Sequence, residues 1–402
     1  MPVYEKFLAG RVSRLAASEV RELLKLTEGK DVISFGGGLP DPSTFMKEEL
    51  AEIARDVILR FGDKALQYAP TKGVLVFRET LKGFLKARDV KVSGDDDVIV
   101  TTGSQEALYL ASLTLMGARD VVIVEEPTYL AALNVFKFFK TRVIPVDVDD
   151  NGIKTDVLEG KLKSLKSEGV NVKLVYTIPT AQNPTGVTLS FERRKHLIEL
   201  ASQHDLLLLE DDPYGYFTFE VERPPPLKSM DSEGRVLYFG TFSKIMAPGF
   251  RLGWALGPSR LIDVMELAKQ GVDLHSSTLS QYIAMEAIKR GVVDATIEKA
   301  RHLYKAKRDI MLGELEDHME DLAAWTKPLG GFFVFLTLKR AIDTKKLLPE
   351  AIERGVAYVP GQAFYVMKNG SNTMRLNYSY PTPDQIKTGI RRLASIIRDK
   401  VM

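Results

Sequence analysis

Chemistry is concentrated in the stretch Thr241-Phe242-Ser243-Lys244-Ile245-Met246-Ala247-Pro248-Gly249-Phe250-Arg251-Leu252-Gly253. The apolar run Val236 to Phe239 before it reads as a buried strand, and Gly240 marks its end. Lys244 follows among small and apolar residues. An amine in that setting is either solvated or held where it loses its charge and becomes nucleophilic. Ser243 sits beside it, and Arg251 lies seven residues further on. A hydroxyl and a planar guanidinium fork flanking a lysine suit a cofactor with an aldehyde at one end and a phosphate at the other. A serine–lysine pair alone carries little weight, because most lysines are solvated. The other parts of such a site have to be sought along the chain.

Four further segments follow apolar runs that read as strands, and a fifth is itself a strand. After Val98–Thr102 comes Gly103-Ser104-Gln105-Glu106-Ala107, a glycine turn into a helix start, where free amides and the helix dipole attract anions. Many such turns merely cap a helix. After Val121–Glu125 comes Glu126-Pro127-Thr128-Tyr129, whose aromatic ring either stacks on a planar ligand or packs in the core. After Leu174–Ile178 comes Pro179-Thr180-Ala181-Gln182-Asn183-Pro184-Thr185-Gly186. Asn183 is held out of the helical region by the proline after it, and its amide either donates to a phenolate or carboxylate or completes a plain turn. After Leu206–Leu209 comes Glu210-Asp211-Asp212-Pro213-Tyr214-Gly215. An acid at a buried strand end needs a partner or its pKa rises. A pyridinium N–H would serve Asp211, with Tyr214 reaching the adjacent ring oxygen. A metal-binding or solvated acidic loop is the other reading. Finally, Met374-Arg375-Leu376-Asn377-Tyr378-Ser379 sets an arginine among apolar residues. It pairs either with a structural carboxylate or, bidentately, with a substrate α-carboxylate.

The elements that must position these residues alternate in type. Residues 1–30 are polar and helical in pattern, with Ala16-Ala17-Ser18-Glu19 as a capped start. Val32-Ile33-Ser34-Phe35 reads as a short strand running into the turn-rich Gly36-Gly37-Gly38-Leu39-Pro40-Asp41-Pro42, where backbone can approach a ligand. Lys47 to Phe61 is an amphipathic helix, Gln67 to Gly73 a loop, and Val74 to Arg88 helical. From Val98, strands alternate with helices at Ser104–Met116, Tyr129–Phe139, Thr155–Ser167 and Phe191–His204, with a strand at Val143–Val148. Continuous apolar runs are expected of strands buried on both faces of a mostly parallel sheet, so the class is doubly wound α/β. Open sheets of this kind bind ligands at the carboxyl ends of their strands, where these segments fall. After Ser276 helices dominate to about His318. Strands at Gly331–Leu338, Val356–Val359 and Met374–Ser379 follow, then a helix at Pro383–Arg398. This predicts a large domain over 45–285 and a smaller α+β domain over 286–402, joined by 1–44.

Composition narrows the function classes. At 402 residues two domains are expected, and a formal net charge of +2 implies no attraction to nucleic acid or membrane. The absence of cysteine excludes disulfides, thiolate catalysis and cysteine metal sites. His196, His204, His275, His302 and His318 show no close metal-ligand spacing, so no metal is expected. Met1 to Leu8 lacks a signal-peptide apolar region, and no apolar run is long enough to span a bilayer, so a cytoplasmic location is expected.

Taken together, Gly-Ser-Gln, Glu-Pro-Thr-Tyr, Gln-Asn-Pro-Thr-Gly, Asp-Asp-Pro-Tyr, Ser-Lys with Gly-x-Arg-x-Gly, and Arg-Leu-Asn occur in the order of class I aminotransferases. The chain resembles that family over essentially its whole length. It looks nearest to the branch of 2-aminoadipate, kynurenine and multi-substrate aromatic aminotransferases, whose opening is similar to Ser18-Glu19-Val20-Arg21-Glu22-Leu23 and Phe35-Gly36-Gly37-Gly38-Leu39-Pro40. The resemblance implies a fold-type I enzyme dependent on pyridoxal 5′-phosphate (PLP), with a mostly parallel seven-stranded sheet. It implies Lys244 as the Schiff-base lysine and proton shuttle, Asp211 on the pyridine nitrogen, and Asn183 and Tyr214 on the ring hydroxyl oxygen. Tyr129 would stack on the ring, within a cofactor site that takes in Pro213 and Thr241. Ser104, Gln105, Ser243 and Arg251 would hold the phosphate, and Tyr68 would reach the phosphate of the neighbouring subunit in a homodimer. Arg375 and Asn183 would bind the substrate α-carboxylate, with Gly38 and Tyr68 close by.

Three positions depart from that pattern. Thr180-Ala181 replaces Asn-Phe, Glu106 stands where glutamine is frequent, and Met46 stands where proline is usual. None removes a catalytic group. The expected reaction moves an α-amino group between an L-amino acid (2-aminoadipate, glutamate, aromatic or aliphatic) and a 2-oxo acid such as 2-oxoglutarate, in two half-reactions. A PLP-dependent β-lyase or decarboxylase is the alternative chemistry, and the Arg375 clamp argues against decarboxylation. An effector domain of a DNA-binding regulator is not expected, because the aminotransferase pattern begins within the first thirty residues. Arg21 is expected to bind a side-chain carboxylate and to swing away for apolar substrates.

Overall fold

The computed structural model describes residues 3–15, 19, 23, 25, 29 and 31–401. Ala16 to Ser18 and Arg21 lie outside the described residues, so the structure does not bear on the capped helix start or on Arg21. Residues 3–7 and 10–14 form short 3₁₀ turns, not the helix that their polarity suggested.

The central sheet is built from β2 (Asp96–Thr101), β3 (Val121–Glu126), β4 (Arg142–Asp149), β5 (Gly152–Ile153), β6 (Val172–Thr177), β7 (Leu207–Asp211), β8 (Val236–Thr241) and β9 (Gly253–Pro258). Their order is β2-β9-β8-β7-β6-β3-β4-β5. The pairings from β4 through β3, β6 and β7 to β8 are parallel, while β9 runs antiparallel to both neighbours. The eighth strand, β5, is a two-residue antiparallel addition at the β4 edge. Strand β9 was not legible in the sequence. Its short run is bounded by Gly253 and by Gly257-Pro258, so it reads as the end of the lysine loop.

Alternate residues of β3, β6 and β7, and of the start of β8, enter opposite cores. Val122, Val124, Leu174, Tyr176, Leu209 and Leu237 join one cluster, and Val121, Ile123, Val175, Leu208 and Val236 join the other. This period-two division, with both faces apolar, is why the strands read as unbroken hydrophobic runs. Helix Ser104–Leu115 packs on β8 and β9 and on helix Ser259–Gln270, whereas helices Thr155–Ser167 and Phe191–Gln203 cover the other face.

The remaining chain forms a four-stranded antiparallel sheet, in the order β10 (Ala323–Trp325), β11 (Phe333–Leu338), β14 (Thr373–Asn377) and β13 (Val359–Pro360). The expected single strand Val356–Val359 is divided. Its first part, β12 (Val356–Ala357), pairs in parallel with β1 (Ile33–Ser34), and its second joins β14. Helices Val292–Met319 and Pro383–Val401 pack against each other beside this sheet. The amide of Asn377 donates to the carbonyl of Phe35 at 2.8 Å, which ties the segment after β1 to β14. Among the described residues, no helix is long and apolar enough to cross a membrane.

Candidate active site

Strands β2, β3, β6, β7 and β8 all deliver their carboxyl ends to one side of the sheet, and the loops leaving them line a cavity of about 440 Å³. Of the residues singled out from the sequence, Gly38, Ser104, Gln105, Tyr129, Asn183, Asp211, Pro213, Tyr214, Thr241, Ser243, Lys244, Arg251 and Arg375 line it. Tyr68 does not. Its side chain is 78 % exposed and lies edge-on to His275.

The turn after β8 aims the lysine. Ser243 donates its amide to Thr241 Oγ1 at 3.1 Å, and Phe242 donates its amide to the carbonyl of Leu252 at 2.9 Å. Lys244 is thereby directed inward, where Nζ donates to the carbonyl of Gly38 at 2.6 Å. Loss of solvation lowers its amine to about 8, and the nearby charges of Arg375 and Arg251 act in the same direction. A neutral fraction is therefore available near neutral pH.

At the end of β7 the Asp211 carboxyl is buried. Its Oδ2 accepts from the phenol of Tyr176 at 2.9 Å, while Oδ1 finds no donor among the described residues. Burial raises Asp211 to about 7; the charge of Asp212 adds to this and the Tyr176 bond opposes it. A buried acceptor without a donor is costly, so an N–H from a bound ligand would both satisfy the oxygen and hold the carboxylate ionised. Burial also pushes Tyr214 well above the ordinary phenol range, opposed by Arg375 and a hydrogen bond with Asn183.

The far end of the cavity is cationic. Arg251 closes a 3₁₀ turn in the left-handed conformation, with φ 51°, which costs a non-glycine residue about 1–3 kcal/mol. The turn directs its guanidinium to Ser243 Oγ and to the carbonyl of Thr102, each at 3.2 Å. Gly103, with φ 85°, leads into the helix that starts at Ser104. A Cβ on Gly103 would come within 2.8 Å of Arg251, and one on Gly253 within 2.6 Å of the Gly103 backbone. Both positions need glycine if the arginine and the helix N-terminus are to share one cradle. Gln105 accepts from the Tyr129 phenol at 3.3 Å.

Strand β14 brings Arg375 in from the second sheet. It is buried, and burial lowers its guanidinium to about 10, so it stays charged. Nη1 donates to Asn183 Oδ1 and Nη2 to the carbonyl of Gly36, both at 2.8 Å, while Nε has no partner among the described residues. The guanidinium also lies 4.1 Å from the ring centroid of Phe333.

Sequence reasoning missed Tyr176, Leu39, Leu130, Ala131 and Phe333. Tyr176 and Phe333 are strand residues indistinguishable by pattern from core, and Leu130 and Ala131 belong to a helix start. The cavity thus offers a desolvated amine, a carboxylate awaiting an N–H, an anion cradle at one end and a second guanidinium at the other. It fits a planar, phosphate-bearing pyridine aldehyde beside a substrate carboxylate.

Comparison with known proteins agrees with this chemistry. Residues 30–393 match the family model for aminotransferase class I and II. Aromatic-amino-acid aminotransferase 1 of Thermococcus litoralis is 47% identical, over 99% of this chain and 95% of that protein. The kynurenine aminotransferase of Pyrococcus horikoshii, solved with PMP and with KYN as substrates and KYA as products, superposes at a TM-score of 0.97. It is 47% identical, covering 100% of this chain and 99% of the other. The α-aminoadipate aminotransferase of Thermus thermophilus, complexed with N-(5′-phosphopyridoxyl)-L-leucine, superposes at 0.90 with 33% identity, covering 99% of both chains.

Proposed function

The chain belongs to the class I and II aminotransferase family; it is a PLP-dependent transaminase, and we propose that it moves the α-amino group of aromatic, aliphatic and acidic L-amino acids to a 2-oxo acid such as 2-oxoglutarate. The observation that carries the reading is the meeting of Lys244, the half-satisfied Asp211 and the half-satisfied Arg375 in one cavity. When bound, PLP supplies a carbonyl that takes up the amino group and a ring that withdraws the electron pair released at the substrate Cα.

In this proposal the protein's residues divide the remaining work. Ser104, Gln105, Ser243 and Arg251 bind the phosphate. Asp211 Oδ1 would accept the ring N–H and keep it protonated. Asn183 and Tyr214 would hold the ring oxygen, Tyr129 would stack on the ring, and Pro213 and Thr241 would complete the wall. Arg375 and Asn183 orient the α-carboxylate beside Gly38. The Nζ of Lys244 would take up the proton released at the substrate Cα in one half of a ping-pong cycle and return it in the other. Residues 45–285 serve as the cofactor domain, with 1–44 and 286–402 as the smaller domain. Two copies assemble so that Tyr68 of each serves the partner's phosphate; its exposure outside its own cavity supports this.

Leu39, Leu130, Ala131 and Phe333 add apolar side chains to the lining of the cavity, which favours aromatic and aliphatic substrates. Acidic side chains would rely on Arg21. The test is a half-reaction screen: single amino acids are mixed with PLP-loaded protein without acceptor, and the visible cofactor band is followed. Conversion to the pyridoxamine form by aromatic, aliphatic and acidic amino acids is expected. Turnover without any 2-oxo acid would replace this reading by lyase chemistry. Arg21→Ala should lower activity on 2-aminoadipate and spare leucine; equal losses would remove Arg21 from the scheme.

A further inference from the structure

Behind the anion cradle lies a cluster that the reaction does not call on. Lys269, on helix Ser259–Gln270, is fully buried. Its Nζ donates to both oxygens of Glu106, at 2.9 and 2.8 Å, and to both oxygens of Asp273, at 2.7 and 2.8 Å. Both carboxylates then grip one residue. Glu106 Oε2 accepts the amide of Thr102 at 2.5 Å, and Asp273 Oδ2 accepts its hydroxyl at 3.0 Å, with Ser276 Oγ 3.2 Å from the same hydroxyl. The carbonyl of Thr102 in turn accepts from Arg251 Nη2 at 3.2 Å. Lys269, which does not line the cavity, is therefore joined to the phosphate arginine through Thr102.

The charge pattern gives this chain of contacts a purpose. Glu106 occupies the first turn of helix Ser104–Leu115, the place where a phosphate dianion would draw on the same helix dipole. An uncompensated carboxylate there repels the dianion. One ammonium against two carboxylates leaves the cluster with a single negative charge, dispersed over the Thr102 donors.

We propose that Lys269 is a positioning residue for the phosphate group of PLP: it offsets Glu106 and Asp273 and, through Thr102, sets the place of Arg251. The inference rests on the phosphate lying at Ser104, Ser243 and Arg251. It concerns recognition of the phosphate and not of the ring or the amine.

The experiment compares the dissociation constants of PLP and of pyridoxal, which lacks the phosphate, for the full-length protein by dialysis and retitration. Lys269→Met should weaken PLP roughly five- to thirtyfold, the range for a charge in the first turn of a helix, and leave pyridoxal nearly unchanged. Adding Glu106→Gln to it restores the cluster's charge and should recover most of the PLP affinity. Glu106→Gln alone, which keeps Lys269 paired with Asp273, should tighten PLP and not pyridoxal; it also serves if Lys269→Met does not fold. Equal weakening of both ligands by Lys269→Met, or no gain from Glu106→Gln, overturns the proposal. Arg251→Gln is the control. If it too leaves the ratio of the two constants unchanged, the phosphate reading itself fails; if it shifts the ratio while the Lys269 and Glu106 variants do not, only this inference fails.

Discussion

Replacing Arg375 with leucine removes a buried charge that holds two groups and keeps one donor open. Nη1 serves Asn183, Nη2 serves Gly36, and Nε is left for a ligand. Truncating one partner of a buried, hydrogen-bonded charge pair costs about 2–5 kcal/mol. If the substrate α-carboxylate is that partner, kcat/KM for an amino acid falls roughly thirtyfold to several-thousandfold. The variant also strands Asn183 Oδ1 and the Gly36 carbonyl, at about 1–3 kcal/mol for each lost partner, so its melting temperature should drop as well. The two effects separate in a half-reaction assay that pairs phenylalanine with 2-phenylethylamine, the same side chain without the carboxylate. The loss should appear with phenylalanine and be small with the amine. Arg375→Lys should fall between, because the charge stays and the planar fork does not. A loss equal for both substrates, or a phenylalanine kcat/KM within about threefold of the parent, would refute the carboxylate role and leave Arg375 as a structural tie between the two sheets.

Other perturbations read other parts of the site. Tyr176→Phe removes the phenol donor to Asp211 and should lower kcat about tenfold to hundredfold, the worth of a hydrogen bond to a charged group; an unchanged kcat would show that the ring nitrogen alone orders the carboxylate. Burial raises Asp211, Glu125 and Glu210 to about 7 each. In cofactor-free protein their stabilising contribution is full below the unfolded carboxyl values and is lost as pH rises through 7. Urea midpoints should therefore fall between about pH 4 and pH 8, and Asp211→Asn should shallow that slope; an identical slope would deny the raised carboxyl. Gly103→Ala forces a Cβ to within 2.8 Å of Arg251 at φ 85° and should cost at least about 1 kcal/mol of stability and weaken PLP binding; full affinity would mean that the cradle yields at no cost.

Much of the site was legible in one dimension. Asp211, Asn183, Tyr129 and Ser104 each stand just past an apolar run, and such runs announce strands buried on both faces. A doubly wound sheet must then bring the carboxyl ends of those strands to one edge, so residues far apart in the chain could be grouped before any coordinates. The strand β9 escaped because glycines and a proline at its bounds mimic a loop, and its place between β2 and β8 is fixed by pairing on both sides. The division of Val356–Pro360 between two sheets escaped for a similar reason. Strand partners are chosen by the whole packing and leave no mark on a five-residue stretch.

The chain's own order of residues thus determined the class of fold and the line of groups along the sheet edge, because hydrophobic period and turn residues act over a few positions. Tertiary structure alone decided which lone pairs are left over and which charges are offset. Tyr176 meets Asp211 across 35 positions, Lys269 meets Glu106 across 163, and Arg375 meets Asn183 across 192. Hydrogen bonding and desolvation act between neighbours in space, and no local pattern in the sequence encodes who those neighbours will be.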